Sequence, residues 1–264
     1  MHPTRRLERP EIAARLRASG CVFADEEARL LDEAADDAQT LVDLVERRAA
    51  GEPLEPLLGW VDFAGLRLRV GPGVFVPRQR TSVLAMEAGR LASSKSAPVV
   101  VDLCCGVGAI AAVIGATGAP HRLVAADLDP AAVELAAQNL AAYDGEAYVG
   151  DLYDALPRAL EGRVDVLAVN APYVPSAEIG GMPREAREYE PRHALDGGAD
   201  GLELHRRVAG AARDWLAPGG HLLIESSTAQ AECTEQLVRA IGLSTRIVSD
   251  DELGATVVIG VAPA

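Results

Sequence analysis

Val164-Asp165-Val166-Leu167-Ala168-Val169-Asn170-Ala171-Pro172-Tyr173 is the stretch whose reading decides the fold of this chain. Its first six residues are mostly apolar, the composition of a buried strand. The run stops abruptly at Asn-Ala-Pro-Tyr. That ending puts an amide, a backbone carbonyl restricted by the following proline, and an aromatic ring at the end of the strand. Open α/β sheets bind ligands at the carboxyl ends of their strands. The segment therefore predicts a sheet and also the edge of that sheet that carries a site.

Working outward, Val99-Val100-Val101-Asp102-Leu103 predicts a buried strand, followed by the tight turn Cys104-Cys105-Gly106-Val107-Gly108 and a helix from 109. A second strand over 123–127 leads to a helix over 130–142, with Pro130 suited to its first turn. A third strand covers 147–151. Downstream come a helix over 204–216, the turn Pro218-Gly219-Gly220, a strand over 221–225 and a helix over 229–241. Strands over 246–248 and 256–261 finish the chain as an antiparallel pair. Strand and helix alternate, which predicts an α/β fold with a mostly parallel sheet and helices on both faces.

Residues 10–50 read as helices, because Ile12, Leu16, Ala28, Leu31, Ala35, Ala38, Leu41, Leu44 and Val45 recur at helical spacing. Gly20 is suited to end the first helix and Asp25 to cap the second. Trp60-Val61-Asp62-Phe63 and Leu66-Arg67-Leu68-Arg69-Val70 alternate around Ala64-Gly65, the pattern of a β-hairpin. Thr81 is placed to cap a helix over 82–92. The expected division is a helical module over 1–53, a hairpin linker over 54–80 and a main domain over 81–264.

Composition limits the partners. Lys+Arg 25 against Asp+Glu 39 gives a net charge of −14, which argues against docking along phosphate backbones. No apolar run approaches the ~20 residues of a membrane-spanning helix. Residues 1–11 carry basic side chains with no apolar stretch behind them, unlike a secretory signal. Cys21, Cys104, Cys105 and Cys233 are spaced for neither a disulfide framework nor a zinc site, so no metal is expected and the cytoplasm is the expected compartment.

The chemistry follows from the strand ends. Glycines after a first strand let backbone approach a ligand and present N–H groups at a helix N-terminus. Gly106 and Gly108 do this here, without the third glycine of a dinucleotide fingerprint. Asp127 ends the second strand, where a carboxylate can accept hydrogen bonds from both ribose hydroxyls; the alternative is a helix cap, for which Asp129 is better placed. Asp151 ends the third strand, where a carboxylate can accept from an adenine amino group or simply serve a turn. Together they describe an adenosyl ligand lying across the strand ends. At the fourth strand, the Asn170 side-chain oxygen and the Ala171 carbonyl can accept the two N–H bonds of an amide or amino group. That fixes the nitrogen with its lone pair aimed at a sulfonium methyl, and Tyr173 can pack its ring on the planar target. A strand-ending turn without chemistry is the bland alternative.

The ordered set Asp102 to Gly108, Asp127, Asp151 and Asn170 to Tyr173 resembles class I (Rossmann-like) S-adenosylmethionine-dependent methyltransferases. More narrowly, the chain resembles the HemK-like glutamine-N5 protein methyltransferases, which modify the Gly-Gly-Gln glutamine of peptide chain release factors. Glu190-Pro191-Arg192-His193-Ala194-Leu195-Asp196-Gly197-Gly198-Ala199-Asp200-Gly201-Leu202 is the most family-specific segment. Gly59 with Phe63, the hairpin before Phe75-Val76-Pro77-Arg78, the Pro-Gly-Gly turn and the strand ending in Glu225 fit the same pattern. The resemblance implies S-adenosyl-L-methionine as cofactor, held by Asp102, Cys104, Gly106, Gly108, Asp127, Leu128, Asp151, Leu152 and Asn170. It implies that Asn170, Ala171, Pro172 and Tyr173 form the catalytic segment and bind the substrate with Arg78. It implies a protein partner, a peptide chain release factor, docked by the helical module; Glu190 and Arg192 order the loop after the catalytic strand. The chain departs from the family at Ala171, where the signature has proline, and at Cys104, where the loop has glycine. It departs again at Gln79-Arg80-Thr81-Ser82, where proline and acidic residues surround the threonine, and at Ser226-Ser227. A nucleic-acid amino group, which must be flipped out or single-stranded, a small-molecule acceptor and a non-catalytic cofactor binder are the alternatives.

Overall fold

The computed structural model describes residues 5–118, 120 and 122–264. The first four residues of the basic N-terminal stretch lie outside the described residues. Helices α1 (Arg9–Ala18), α2 (Ala24–Ala34), α3 (Ala38–Ala49) and α4 (Leu54–Leu58) form the N-terminal module around Ile12, Leu16, Leu31 and Leu41, all fully buried. Reciprocal bonds between Glu8 and Glu11 open α1, with Pro10 in its first turn. Asp25 does not cap α2: Phe23 occupies that position, and Asp25 lies in the first turn beside the Arg17 guanidinium at 2.6 Å. Asp37 caps α3 by accepting from the Thr40 N–H. The sequence pattern missed α4, a helix of five residues that is too short for a periodic signal. Its Leu57 packs into the helical cluster.

Strands β1 (Trp60–Phe63) and β2 (Leu66–Arg69) form the expected hairpin, with Ala64 and Gly65 both left-handed at φ 48° and 82°, the turn that matches strand twist. Val61, Phe63 and Leu68 are buried in the core of the main domain, so the hairpin is packed onto it. A single turn, Gln79–Thr81, precedes α5 (Ser82–Ser93). Thr81 has helical backbone angles and makes no cap; its hydroxyl is used elsewhere, as described below.

The main domain continues through β3 (Val99–Leu103), α6 (Ala109–Ala116), β4 (Arg122–Asp127), α7 (Pro130–Leu140), β5 (Glu146–Val149), β6 (Val164–Val169), α8 (Arg184–Tyr189), α9 (Glu203–Trp215), β7 (Leu216–Glu225), α10 (Ala231–Ala240), β8 (Ser244–Asp250) and β9 (Ala255–Val261). The sheet runs in the order β5-β4-β3-β6-β7-β9-β8. Strands β3 to β7 are parallel, and β9 runs antiparallel to both β7 and β8, as the sequence predicts. Successive residues of β3 point to opposite faces: Val100 packs with α5, α6 and α7, and Val101 with α9 and α10. Both faces are therefore apolar, which is why the strands read as continuous runs.

Two boundaries differ. Strand β5 ends at Val149, so Asp151 stands two residues past it. The Pro218-Gly219-Gly220 turn is absorbed into β7 as an irregularity opposite Val164 to Val166. A Cβ on Gly220 would meet the Val164 carbonyl oxygen at 2.6 Å, so only glycine lets the two strands rejoin. Among the described residues, no helix is long and apolar enough to cross a membrane.

The chain order reverses around β3. Strands β4 and β5 spread to one side, β6 and β7 to the other. The crevice at such a switch point is where doubly wound sheets bind ligands.

Candidate active site

A cleft of about 440 Å³ opens at this point, bordered by Cys104 and Gly106 after β3, Asp127 and Leu128 at the end of β4, Asp151 and Leu152 after β5, and Asn170 after β6. Its size lies within the ~300–1,000 Å³ of small-molecule sites.

The loop after β3 is stitched to β4. The Cys105 N–H donates to the Ala126 carbonyl at 3.1 Å, and the Gly106 N–H donates to Asp127 Oδ2 at 2.8 Å. Cys104 holds φ 56°, a conformation that costs a non-glycine residue ~1–2 kcal/mol. Gly106 and Gly108 are left-handed too, at φ 53° and 77°. Gly108 does not line the cleft: a Cβ there would meet Ala136 Cβ at 3.1 Å, so it serves the packing of α6 on α7. Asp102 does not line the cleft either. It is fully buried beneath the loop, where Oδ2 accepts from the Ala111 N–H at 3.0 Å. Oδ1 has no partner among the described residues, and burial pushes this carboxyl up to about 8.

Asp127 is fixed by two backbone donors, Gly106 to Oδ2 and the Asp129 N–H to Oδ1 at 2.9 Å. Burial raises its pKa, and those two N–H bonds oppose the shift. Asp129, not Asp127, caps α7, accepting from the Ala131 N–H. Asp151 Oδ2 accepts from Arg207 Nη2 at 2.7 Å, and both residues border the cleft. Nothing in the sequence singled out Arg207; it is one of two adjacent arginines on α9. His193 borders the same cleft with its Nε2 3.8 Å from Asp129 Oδ2, as a loop residue.

Asn170 Nδ2 donates to Thr81 Oγ1 at 3.2 Å, which leaves the side-chain oxygen as the other end of the amide. Tyr173 Oη donates to Glu225 Oε1 at 3.2 Å, and Gln230 Nε2 donates to the Tyr173 carbonyl at 3.0 Å. Burial pushes the Tyr173 phenol up to about 12. The loop that follows folds back on this segment: the Gly197 N–H donates to the Val174 carbonyl at 2.8 Å. A Cβ on Gly197 would lie 2.8 Å from the Pro172 carbonyl oxygen. That close approach explains a glycine in the family-like segment.

A second, smaller pocket of about 60 Å³ lies on the other side of Asn170, walled by Phe75, Arg78, Arg80, Ala171, Tyr173 and Met182. Asn170, Pro172 and Phe75 border both spaces. Arg78 faces this second pocket and not the cleft. Its Nη2 lies 2.7 Å from both oxygens of Glu190, a buried carboxylate that also accepts from the Val76 N–H, so Glu190 orders the loop as the sequence predicts. Phe75, Thr81, Arg80 and Glu225 reach the site without a local sequence signal, because they come from a turn and a strand end far from the signature. The arrangement is two chambers that share Asn170, Pro172, Phe75 and Ala194.

Residues 67–181 match the methyltransferase small domain family. A release factor glutamine methyltransferase of Geobacter sulfurreducens is 37% identical over 220 residues, 82% of this chain and 75% of that protein. One of Bradyrhizobium diazoefficiens is 36% identical over 251 residues, 90% of this chain and 82% of that protein. Among solved structures, a methyltransferase from Pyrococcus furiosus aligns with a TM-score of 0.56 at 17% identity, over 76% of this chain and 91% of that one, a likeness of fold.

Proposed function

The chain belongs to the release factor glutamine methyltransferases, and from that premise we propose that it transfers a methyl group from S-adenosyl-L-methionine to the side-chain amide nitrogen of the Gly-Gly-Gln glutamine of a peptide chain release factor. The fold is the class I S-adenosylmethionine-dependent methyltransferase fold. The observation that carries the proposal is the position of Asn170, which borders both the cleft and the second pocket.

The residues fit the cofactor. Asp127 presents a carboxylate already fixed by two N–H donors, and Asp151 keeps one oxygen uncommitted. In our reading Asp127 accepts from the ribose hydroxyls and Asp151 from the adenine amino group, while Leu128 and Leu152 flank the ring. The backbone at Cys104 and Gly106 lies along the ligand, and Asp102 with Gly108 supports that loop from beneath. When bound, the cofactor supplies an electrophilic methyl group on a sulfonium sulfur.

On the acceptor side, Asn170 Oδ1 and the Ala171 carbonyl take the two N–H bonds of the glutamine amide. Pro172 holds that carbonyl in place, and Tyr173 and Phe75 enclose the planar group. The nitrogen is thereby oriented toward the cleft. No base is required beforehand, because the product nitrogen sheds its proton afterwards. Positioning of this kind supplies up to ~7–11 kcal/mol of barrier lowering, and the two carbonyl oxygens stabilise positive charge growing on the nitrogen. The second pocket, walled by Phe75, Tyr173 and Met182, has room for a planar carboxamide. The net charge of −14 argues against a nucleic-acid acceptor. Residues 1–53 dock the body of the protein substrate, and the cytoplasm is the compartment this reading requires.

Methyl-labelled cofactor, the purified protein and a purified release factor test the proposal. Label is expected in the release factor and not in a variant whose Gly-Gly-Gln glutamine is replaced by asparagine. Label in ribosomal RNA, or none in a release factor that a related enzyme does label, would overturn it.

A further inference from the structure

We propose that Glu225 and Thr81 are positioning residues for methyl transfer: they set which end of the Asn170 amide faces the acceptor, with Arg80 as the counter-charge that keeps the device polarised. This rests on the glutamine methyltransferase reading above and deepens it.

Glu225 ends β7, and the preceding Ile224 pairs with Val169, the residue before Asn170. Its side chain therefore stands beside the catalytic segment, with only 1% of the residue exposed. Oε1 receives Tyr173 Oη at 3.2 Å and Arg80 Nε at 3.4 Å. Thr81 lies near this carboxylate and favours its ionised form. Oε2 has no partner among the described residues.

The direction of these bonds follows from inventory. An ionised carboxylate only accepts, and a threonine hydroxyl has a single proton. In the proposed arrangement Thr81 turns that proton toward Glu225, and its oxygen can then only accept. The group that reaches it from the other side is the Asn170 amide, at 3.2 Å. That group must be the NH₂ end. The carbonyl end is turned toward the acceptor, the orientation needed to receive a substrate N–H. The same carboxylate receives the Tyr173 phenol, so one buried charge orders two residues of the signature.

A buried charge needs a partner. Arg80 supplies it from the single turn before α5. The titratable groups facing Glu225 are Arg80 and Tyr173, and His205, neutral through burial, lies behind the Tyr173 ring at 6.4 Å between centroids.

The test compares Thr81→Val, Thr81→Ser and Glu225→Gln with wild type, on the release factor that wild type methylates. In Thr81→Val the hydroxyl is gone; in Glu225→Gln the chain of donors can reverse and admit the flipped amide. Both are expected to lose kcat by about 10²-fold, the scale of a misplaced reacting group. KM for the release factor and the Kd for S-adenosylhomocysteine, measured by calorimetry, stay near wild type. Thr81→Ser, which keeps the hydroxyl, restores kcat. Arg80→Gln is expected to move the acid limb of kcat to higher pH, as Glu225 takes up a proton more readily. Unchanged kcat in Thr81→Val would overturn the proposal, as would a Thr81→Ser protein as slow as Thr81→Val. A readout independent of turnover separates this from failure of the functional reading. The ¹⁵N-labelled side-chain amide of Asn170 is expected to exchange slowly with solvent in wild type and faster in Thr81→Val. Equal exchange would sink the inference even if the acceptor proves to be another amide.

Discussion

Arg207 Nη2 lies 2.7 Å from Asp151 Oδ2 at the rim of the cleft, so one oxygen of that carboxylate is already committed. Both side chains are about half exposed, at 46% and 48%. A pair of this kind contributes ~0–1 kcal/mol to stability. Its effect is on orientation. Arg207→Met is therefore expected to leave the melting temperature unchanged and to weaken S-adenosylhomocysteine binding by up to about tenfold, roughly 1.4 kcal/mol. The loss should be smaller for the inosyl analogue, which lacks the amino group. Calorimetry with both ligands checks this, and equal losses would remove the adenine end from Asp151.

Asn170 and Asp127 separate chemistry from binding. Asn170→Ala is expected to lower kcat by about 10²–10³-fold, the range found when one preorganised polar group is removed from a reacting centre, with cofactor affinity near wild type. Asp127→Ala is the mirror case, expected to weaken the cofactor Kd by about ten- to a hundredfold, since bonds to a charged group carry ~1.5–3 kcal/mol. Single-turnover kinetics and calorimetry distinguish the two. A normal turnover rate in Asn170→Ala would remove that residue from the reaction.

Gly115 shows what a purely structural site should do. A Cβ there would meet the Tyr143 ring at 2.6 Å, far from either chamber. Gly115→Ala is expected to cost ~1–3 kcal/mol through overpacking. Urea denaturation should record the loss, while kcat and both affinities stay unchanged below the melting range.

His205 sets a pH dependence of stability. It is fully buried, with Nδ1 2.9 Å from Thr234 Oγ1 and Nε2 unpartnered among the described residues. Burial pulls its pKa down to about 4 from 6.5, with the nearby Arg206 charge adding to the effect. The folded value lies below the unfolded one, so between these two pH values the unfolded chain binds the proton more tightly. Stability is lost as pH falls through that window, by up to about 3 kcal/mol near its lower end at roughly 1.4 kcal/mol per unit. Asp102 runs the other way: its folded value is raised, so its contribution favours the folded state at low pH and fades as pH rises from 3.8 to about 8. The clean measurement is thus a difference. The stability gap between wild type and His205→Gln should shift in favour of the variant from pH 7 to pH 5. A gap independent of pH would mean that His205 is not held neutral.

The sheet was legible because each parallel strand is buried on two faces and writes an uninterrupted apolar run, as at Val99 to Val101 and Val164 to Val169. The polar residues at the strand ends were legible because they interrupt those runs. Thr81, Arg80, Phe75 and Glu225 were not, since nothing local marks a turn residue that reaches across space to a strand some ninety positions away. Thr81 looked like a cap because a hydroxyl before a helix usually is one; here Asn170 claims the oxygen. Asp25 failed as a cap for a comparable reason, as Arg17 claims the carboxylate. Asp102 and Gly108 carry the family pattern, yet they act on the loop from behind.

Arg48 joins parts of the molecule that the sequence keeps far apart. From α3 it bonds Glu27 of α2 at 2.5 Å and Glu185 of α8 at 2.6 Å. Helix α8 belongs to the excursion between Tyr173 and Leu195 that walls the second chamber. In mechanical terms the N-terminal helices are the abutment for one side of that entrance. The Arg48 guanidinium thus ties the N-terminal helices to the segment that walls the entrance, outside the sheet.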